Sequence, residues 1–211
     1  MKTLSVVCVN IFKSHANITN KFLVMKIIAI CGQKGTGKDL VANTICDILE
    51  PTHPYRKIQF GDPVKDIISF AFKLRTPRDY LSFIRGLITL QDGTEIVGKD
   101  VAKAIQMRMR QYNSDQFIDH VEDQICMFKG YHPEQYDDVV FVITDLRFKD
   151  ELKWCKANNA TIIKVKRDSG VYDPMCDEPE IDDLFADYVI DNNGTEQQLK
   201  SEIATIVNKV V

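Results

Sequence analysis

The sequence predicts an α/β fold in which a central parallel sheet is flanked by helices. Short apolar segments alternate along the chain with segments whose apolar residues recur at helical spacing. Residues 139–144 (VVFVIT) form a continuous apolar run rich in β-branched residues, which is typical of a strand buried on both faces of a parallel sheet. A glycine-rich turn separates the first apolar segment from the first helical one. Folds of this class bind ligands at the carboxyl ends of their strands, so this turn is the first candidate site.

The first half of the chain contributes two strands and two helices to this prediction. Residues 26–31 (KIIAIC) are a compact apolar strand, and residues 39–49 carry apolar side chains at helical spacing until Pro51. Residues 57–60 are expected to form a second short strand. Residues 63–72 are expected to form a helix, because they begin with proline, which is favoured at the first helical position.

The second half continues the alternation after the buried strand. Residues 149–157 are expected to form a helix, and residues 160–166 (ATIIKVK) the next strand. Residues 188–190 (YVI) are expected to form the last strand. A turn at residues 192–194 (NNG) then precedes a closing amphipathic helix at residues 195–210.

Length and charge restrict the domain organisation and the class of partner. At 211 residues the chain fits one domain, which we expect to span residues 25–211 after an N-terminal extension at residues 1–24. The apolar run at residues 4–12 is too short to span a membrane. We favour an extension, or a start at Met25, over a targeting signal. A net charge of −3 gives no reason to expect nucleic acid as a partner, nor is a membrane partner expected. A homodimer is left open.

The six cysteines are scattered and include no C-x-x-C pair. This distribution argues against a zinc site and favours reduced thiols in the cytoplasm. For a viral chain, that compartment would be the host cytoplasm.

Residues 30–40 (ICGQKGTGKDL) contain the pattern G-x-x-x-x-G-K, with its fixed positions at Gly32, Gly37 and Lys38. Because the pattern follows an apolar strand and opens a helix, backbone N–H groups and the positive end of the helix dipole are expected to face phosphate oxygens. Lys38 would reach the β- and γ-phosphates of a nucleotide. The alternative is a glycine turn that carries two lysines by chance. The residues expected to contact ATP are Gly32, Gln33, Lys34, Gly35, Thr36, Gly37, Lys38 and Asp39.

Asp39 occupies the position at which the pattern normally has serine or threonine, whose hydroxyl holds magnesium. Beside a triphosphate, a carboxylate would be repelled unless a cation lay between them. Magnesium prefers oxygen ligands and keeps several waters, so Asp39 is expected to hold Mg²⁺ directly or through one water. The alternative is that Asp39 only complements the helix dipole.

Asp145 and Arg147 follow the buried strand of residues 139–144. An acid and an arginine at the carboxyl edge of the sheet suit phosphoryl transfer, because one organises the metal and the other neutralises transition-state charge. The alternative is a salt bridge within a turn. Arg167, at the exit of a later strand, is the other basic residue that we expect to be catalytic.

Together these stretches resemble the deoxynucleoside monophosphate kinases of bacteriophages, a branch of the P-loop kinases. The resemblance covers the chain from about Met25 to its C-terminus. The matching segments are GQKGTGKD (32–39), FGDPVKD (60–66), LQDGTE (90–95), TDLRFKDE (144–151), VKRD (165–168) and VIDNNGT (189–195).

This resemblance implies a three-layer P-loop kinase-like fold with helical acceptor-binding and lid segments. It implies transfer of the γ-phosphoryl group from ATP, with Mg²⁺, to a deoxynucleoside monophosphate, so that small-molecule nucleotides are the substrates. By position, Arg167 resembles a lid arginine, and Arg147 lies between the two phosphate sites. The residues that correspond to acceptor-binding positions are Asp62, Lys65, Gln91, Gly93, Thr94 and Arg147. Mobile pieces that close over the substrate are expected at residues 73–111, a helical region, and at the acidic residues 168–183, for which a plain surface loop is the alternative.

The chain also departs from the family pattern. Gly61 replaces alanine, Asp150 replaces asparagine, and the spacing from Gln91 to Gly93 is one residue short. A tryptophan usual after the G-T-E stretch is absent, with Phe117 the nearest candidate. The His-x-Ser before the late glutamate, here Glu180, is also absent. Two alternative functions stay open, a kinase of the animal phosphomevalonate kinase type, which also has a G-K-D loop, and a P-loop switch or ATPase.

Overall fold

The computed structural model describes residues 26–131, 138–168 and 186–211. The strands are β1 (Lys26–Cys31), β2 (Tyr55–Ile58), β3 (Leu87–Thr89), β4 (Glu95–Val97), β5 (Val140–Ile143), β6 (Thr161–Lys166) and β7 (Tyr188–Asp191). The helices are α1 (Lys38–Leu49), α2 (Asp62–Ala71), α3 (Pro77–Arg85), α4 (Gly98–Tyr112), α5 (Asp115–Tyr131), α6 (Lys149–Ala157) and α7 (Glu196–Val210). The extension at residues 1–24, most of the acidic loop 168–183 and Glu180 lie outside the described residues.

The predicted α/β fold is confirmed by a five-stranded sheet in the order β2-β5-β1-β6-β7. Every pairing in this sheet is parallel. The carboxyl ends of β1, β5 and β6, which sit side by side, therefore meet at one edge. This edge carries the glycine loop and the residues that follow β5 and β6.

Both faces of the sheet are covered by helices, which explains why β5, and β1 after Lys26, are apolar. In β1, Ile27, Ala29 and Cys31 face one buried cluster, while Ile28 and Ile30 face the other. Helices α2, α5 and α6 supply the first cluster, and α1 and α7 supply the second. Alternate residues of a strand point to opposite faces, so a strand between two helical layers has few polar positions.

The second strand begins and ends two residues earlier than predicted. Tyr55 pairs with Val140 and Ile58 with Ile143, so β2 ends where β5 ends. The residues Gln59 and Phe60, predicted as strand, instead form the loop that leads into α2. The backbone N–H of Phe60 donates to Asp145 of the candidate site and not to a neighbouring strand.

The prediction that residues 73–111 are helical is wrong in its central part. Between α3 and α4 the chain forms an antiparallel hairpin, in which Leu87 pairs with Val97 and Thr89 with Glu95. Each strand has only three residues, too short for an alternating pattern to be recognised. The Asp92-Gly93 pair was the available signal, because Gly93 has a φ of +84° and this dipeptide favours tight hairpin turns.

No helix among the described residues is long and apolar enough to cross a membrane. Four of the six cysteines fall within the described ranges, and each is a free thiol (Cys31, Cys46, Cys126 and Cys155).

Candidate active site

The glycine loop joins β1 to α1 and is packed too closely for side chains at two of its glycines. Gly32 has a φ of +149°, and a Cβ there would overlap the carbonyl oxygen of Val165 on β6. Gly37 has a φ of +93°, and a Cβ there would overlap Nδ2 of Asn192, just after β7. L-residues with side chains rarely adopt such φ values. The loop therefore takes its shape from contacts with the ends of two other strands.

Contacts inside the loop hold it compact. The Thr36 hydroxyl donates to the carbonyl oxygen of Gln33 at 2.8 Å, and the Lys38 ammonium donates to the same oxygen at 3.0 Å. Lys38 thus lies back across the loop, where phosphate oxygens would be bound. Gln33, Lys34 and Gly35 are exposed at the surface of the loop.

Helix α1 begins without a side-chain cap, since its N-cap residue is Gly37. The first N–H groups of a helix have no partner within the helix, and together with the dipole they favour a bound anion. Burial raises the pKa of the Cys31 thiol, at the end of β1, to about 11, and the charges of Lys164 and Lys38 oppose this rise. Two ammonium groups therefore lie near the start of the loop, where a phosphate would be stabilised.

Asp39 is exposed in the first turn of α1. Among the described residues, no group of three or more His, Cys, Asp or Glu side chains could hold a metal ion. A magnesium ion at Asp39 would therefore take most of its ligands from phosphate oxygens and water, which is its usual arrangement beside nucleotides. An exposed carboxylate in the first helical turn fits such an ion, and Asp39 as its protein ligand stays a prediction.

Asp145 lies just beyond β5 and is bonded on both carboxylate oxygens. Oδ1 accepts the Phe60 N–H at 2.8 Å and Oδ2 accepts the Gly61 N–H at 2.9 Å. Burial raises the pKa of this carboxyl, while Arg147, the two N–H groups and Lys65 oppose the rise. The structure thus joins the end of β5 to the start of α2, across the site.

The replacement of alanine by Gly61 fits this arrangement. A Cβ on Gly61 would lie 3.0 Å from Asp145 Oδ2, closer than almost all real contacts of this kind. Glycine leaves room for the carboxylate to approach the backbone.

Asp62 and Lys65, predicted to bind the acceptor, lie in the first turn of α2 and pair with each other at 2.8 Å. Lys65 also donates to the Gln59 side chain. On the other side, Nε2 of His120 in α5 lies 4.0 Å from Asp62 Oδ2. The charge of Lys65 acts on Asp145, so the structure does bring these predicted acceptor residues next to the β5 exit.

Arg147 is held at its backbone by Glu151. Glu151 Oε2 accepts the N–H groups of Arg147 at 2.9 Å and of Phe148 at 3.1 Å. The guanidinium Nε atoms of Arg147 and Arg110 are both buried and have no hydrogen-bond partner among the described residues. The charge of Arg147 also acts on Asp145, so its guanidinium lies at the exit of β5.

Arg110 of α4 anchors the same segment from the opposite side. Its guanidinium lies between the rings of Phe117 (4.3 Å) and Phe148 (3.4 Å). It also pairs with Asp150 at 3.0 Å and with Glu151. The substitution of asparagine by Asp150 therefore provides a charged partner for Arg110. Phe117, the nearest candidate for the tryptophan of the family pattern, is fully buried beneath Arg110.

Tyr80 of α3 belongs to the site but was not predicted. Burial raises the pKa of its hydroxyl, the charge of Asp62 adds to this rise, and the charge of Arg147 opposes it. The phenol is therefore near both the acceptor residues and the β5 exit. No sequence signal indicated it, because it depends on how α3 folds back onto α2.

The remaining predicted residues are all exposed. Gln91, Gly93 and Thr94 are exposed in the β3–β4 turn, whose hydrogen bonds are local, as from Thr94 N–H to Asp92 at 2.9 Å. Arg167 is exposed at the exit of β6, beside β1. Its role as a lid arginine stays a prediction.

No protein-family model matches the chain, and no curated protein matches it. Dephospho-CoA kinase from Campylobacter jejuni is 14% identical, with a TM-score of 0.46, covering 88% of this chain and 98% of that one. Shikimate kinase from Aquifex aeolicus is also 14% identical, with a TM-score of 0.39, covering 88% of this chain and 97% of that one. Similarity at this level does not identify a family, so the function rests on the residues and contacts of the chain itself.

Proposed function

We propose that the chain transfers the γ-phosphoryl group of ATP to a nucleoside monophosphate, with deoxynucleotides as the favoured acceptors, giving ADP and the nucleoside diphosphate. The observation that carries this proposal is the position of two elements at one sheet edge. The glycine loop leaves the carboxyl end of β1, while Asp145 and Arg147 leave the carboxyl end of β5, the strand paired with β1. A phosphate cradle and a charge-neutralising pair are therefore neighbours.

The acceptor belongs on the β2 and α2 side of this edge. Lys65 and Arg147 supply positive charge there, and Asp62, Tyr80 and His120 supply polar groups. The sequence resemblance to deoxynucleoside monophosphate kinases, and not the fold, supports a nucleotide as the acceptor.

The residues of the chain have distinct roles in this reaction. Phosphoryl transfer depends on positioning and charge neutralisation more than on covalent chemistry. The loop and Lys38 bind the ATP phosphates, Arg147 contacts the transferred group, and Asp145 orients the start of α2 against it. Bound Mg²⁺, with Asp39 as its protein ligand, would neutralise charge on the phosphates.

A substrate panel separates this proposal from the two alternatives. The protein is incubated with ATP, Mg²⁺ and each nucleoside monophosphate in ribo and deoxy form, with phosphomevalonate as a further acceptor. We expect diphosphate formation from at least one deoxynucleotide. Transfer only to phosphomevalonate would replace the acceptor class, and ADP formation that no acceptor stimulates would indicate an ATPase or switch.

A further inference from the structure

Asn192, in the turn between β7 and α7, contacts the glycine loop directly. Its side-chain Nδ2 donates to the Thr36 carbonyl oxygen at 2.8 Å, and its backbone N–H donates to the Lys166 carbonyl oxygen at 2.8 Å. The residue as a whole is buried, with 9% of its surface exposed. A residue 156 positions away in sequence therefore fixes one peptide of the loop.

We propose that Asn192 is a positioning residue that holds the glycine loop in its nucleotide-binding form. The Thr36–Gly37 peptide is trans, so its carbonyl and its N–H point in opposite directions. Anchoring the carbonyl on Asn192 turns the Gly37 N–H away from the β7–α7 turn. This N–H is the last of the loop before α1, and its direction decides whether it can bind phosphate.

The close fit of Gly37 supports this role. A side chain on Gly37 would overlap Asn192 Nδ2, so the glycine permits the amide to reach the loop backbone. The turn is itself held in place, because Asp191 Oδ1 accepts the Asn193 N–H at 3.0 Å, and Asn193 Oδ1 accepts the Asp168 N–H at 2.9 Å. Asn192 thus bonds the glycine loop to a turn that is held by hydrogen bonds of its own.

This inference rests on the proposed nucleotide site, but its test does not depend on phosphoryl transfer. ADP binding is measured by calorimetry without Mg²⁺ and without an acceptor, for the wild type, Asn192→Ala and Asn192→Asp. The alanine variant removes the donor without adding charge, and the aspartate variant keeps the shape but presents an acceptor to the Thr36 carbonyl. Asn158→Ala is the matched control, because Asn158 Nδ2 donates to the Trp154 carbonyl oxygen at 2.9 Å, outside the site.

We expect Asn192→Ala to weaken ADP binding about tenfold, as the loss of a buried hydrogen bond implies, and Asn192→Asp to weaken it further. Asn158→Ala should bind ADP as the wild type does, even if its melting temperature falls equally. Unchanged ADP affinity in a folded Asn192 variant would show that the contact is only structural. Wild-type protein that binds no ADP would overturn both the inference and the proposed function. ADP binding without transfer would overturn the proposed acceptor alone.

If Asn192→Ala does not fold, the isosteric Asn192→Asp carries the test. Binding is then also read from the rise in melting temperature that ADP produces, since a ligand stabilises the native state according to its affinity. A rise equal to that of the wild type would overturn the inference.

Discussion

Asp145 combines a structural contact with a candidate catalytic position. Its two oxygens accept N–H groups from Phe60 and Gly61, and its carboxyl lies beside Arg147 at the edge shared with the glycine loop. The sequence placed this acid at the end of a buried strand. It did not show that the carboxylate is bonded to residues 84 and 85 positions earlier, because such contacts depend on the register of β2 against β5.

Asp145→Asn should lower kcat far more than it weakens ATP binding. The loop and Lys38 would still bind the phosphates, while the start of α2 loses its alignment. An amide nitrogen cannot accept an N–H, so one backbone donor is left unpaired at a cost of about 1–3 kcal/mol in unfolding free energy. Steady-state kinetics and denaturant unfolding measure the two effects.

Asp187→Ala is the control for this prediction, because Asp187 Oδ2 accepts the Ile162 N–H at 2.8 Å near the start of β6, at the end of that strand opposite the candidate site. It should lose stability without losing kcat. An unchanged kcat in Asp145→Asn would show that Asp145 is only a turn residue.

Asp39 is the residue at which the loop departs from the usual pattern. Asp39→Ser should keep measurable activity, because a hydroxyl at this position can also bind magnesium. Asp39→Ala should need much more Mg²⁺ for half-maximal rate, and Asp39→Lys should be inactive because its charge competes with the cation. Magnesium titrations measure these effects, with Asp47→Ala, exposed later in α1, as the control. Superimposable titration curves for Asp39→Ala and the wild type would show that Asp39 does not bind magnesium and only complements the dipole of α1.

At the scale of secondary structure, the contacts of Arg110 join α4 to the segment between β5 and α6. The α6 bounds, residues 149–157, were predicted correctly, since amphipathic spacing is a local signal. The ion pairs of Arg110 with Asp150 and Glu151 were not predictable, because the partners are about 40 residues apart. The hairpin β3–β4 was missed because three-residue strands carry too little pattern.

The buried Glu151 should make stability depend on pH. Burial, with the charge of Asp145, raises the pKa of Glu151 to about 7. A carboxyl whose pKa is higher in the folded state binds more protons there, so its contribution to stability is complete below its unfolded pKa of about 4.5 and falls as pH rises to about 7. The largest slope for one proton is about 1.4 kcal/mol per pH unit.

Unfolding free energies of the wild type and Glu151→Gln between pH 5 and pH 8 test this expectation. The advantage of the wild type over the glutamine variant should decrease as pH rises to about 7 and then level off. A difference that is constant across this range would show that Glu151 does not titrate there.

At the scale of the whole molecule, the sheet brings distant segments to one edge. The central strands were predictable because burial on both faces leaves β5, and β1 after Lys26, entirely apolar. The loop and the acid after β5 could be placed at one edge from that pattern alone. The supporting residues, such as Asn192, Tyr80 and Arg110, could not, because their positions depend on how loops and helices pack across the edge.

The central claim is that the glycine loop and the β5 exit together catalyse phosphoryl transfer to a nucleotide. The most direct measurement quantifies ADP and nucleoside diphosphate in one reaction, for the wild type, Lys38→Ala and Lys200→Ala. Lys200 is the control, because it is an exposed lysine of α7 that pairs with Glu196 at 2.7 Å. We expect the two products in equal amounts from the wild type and Lys200→Ala, and neither from folded Lys38→Ala. Undiminished transfer by Lys38→Ala, or ADP formed by the wild type without diphosphate, would contradict the account.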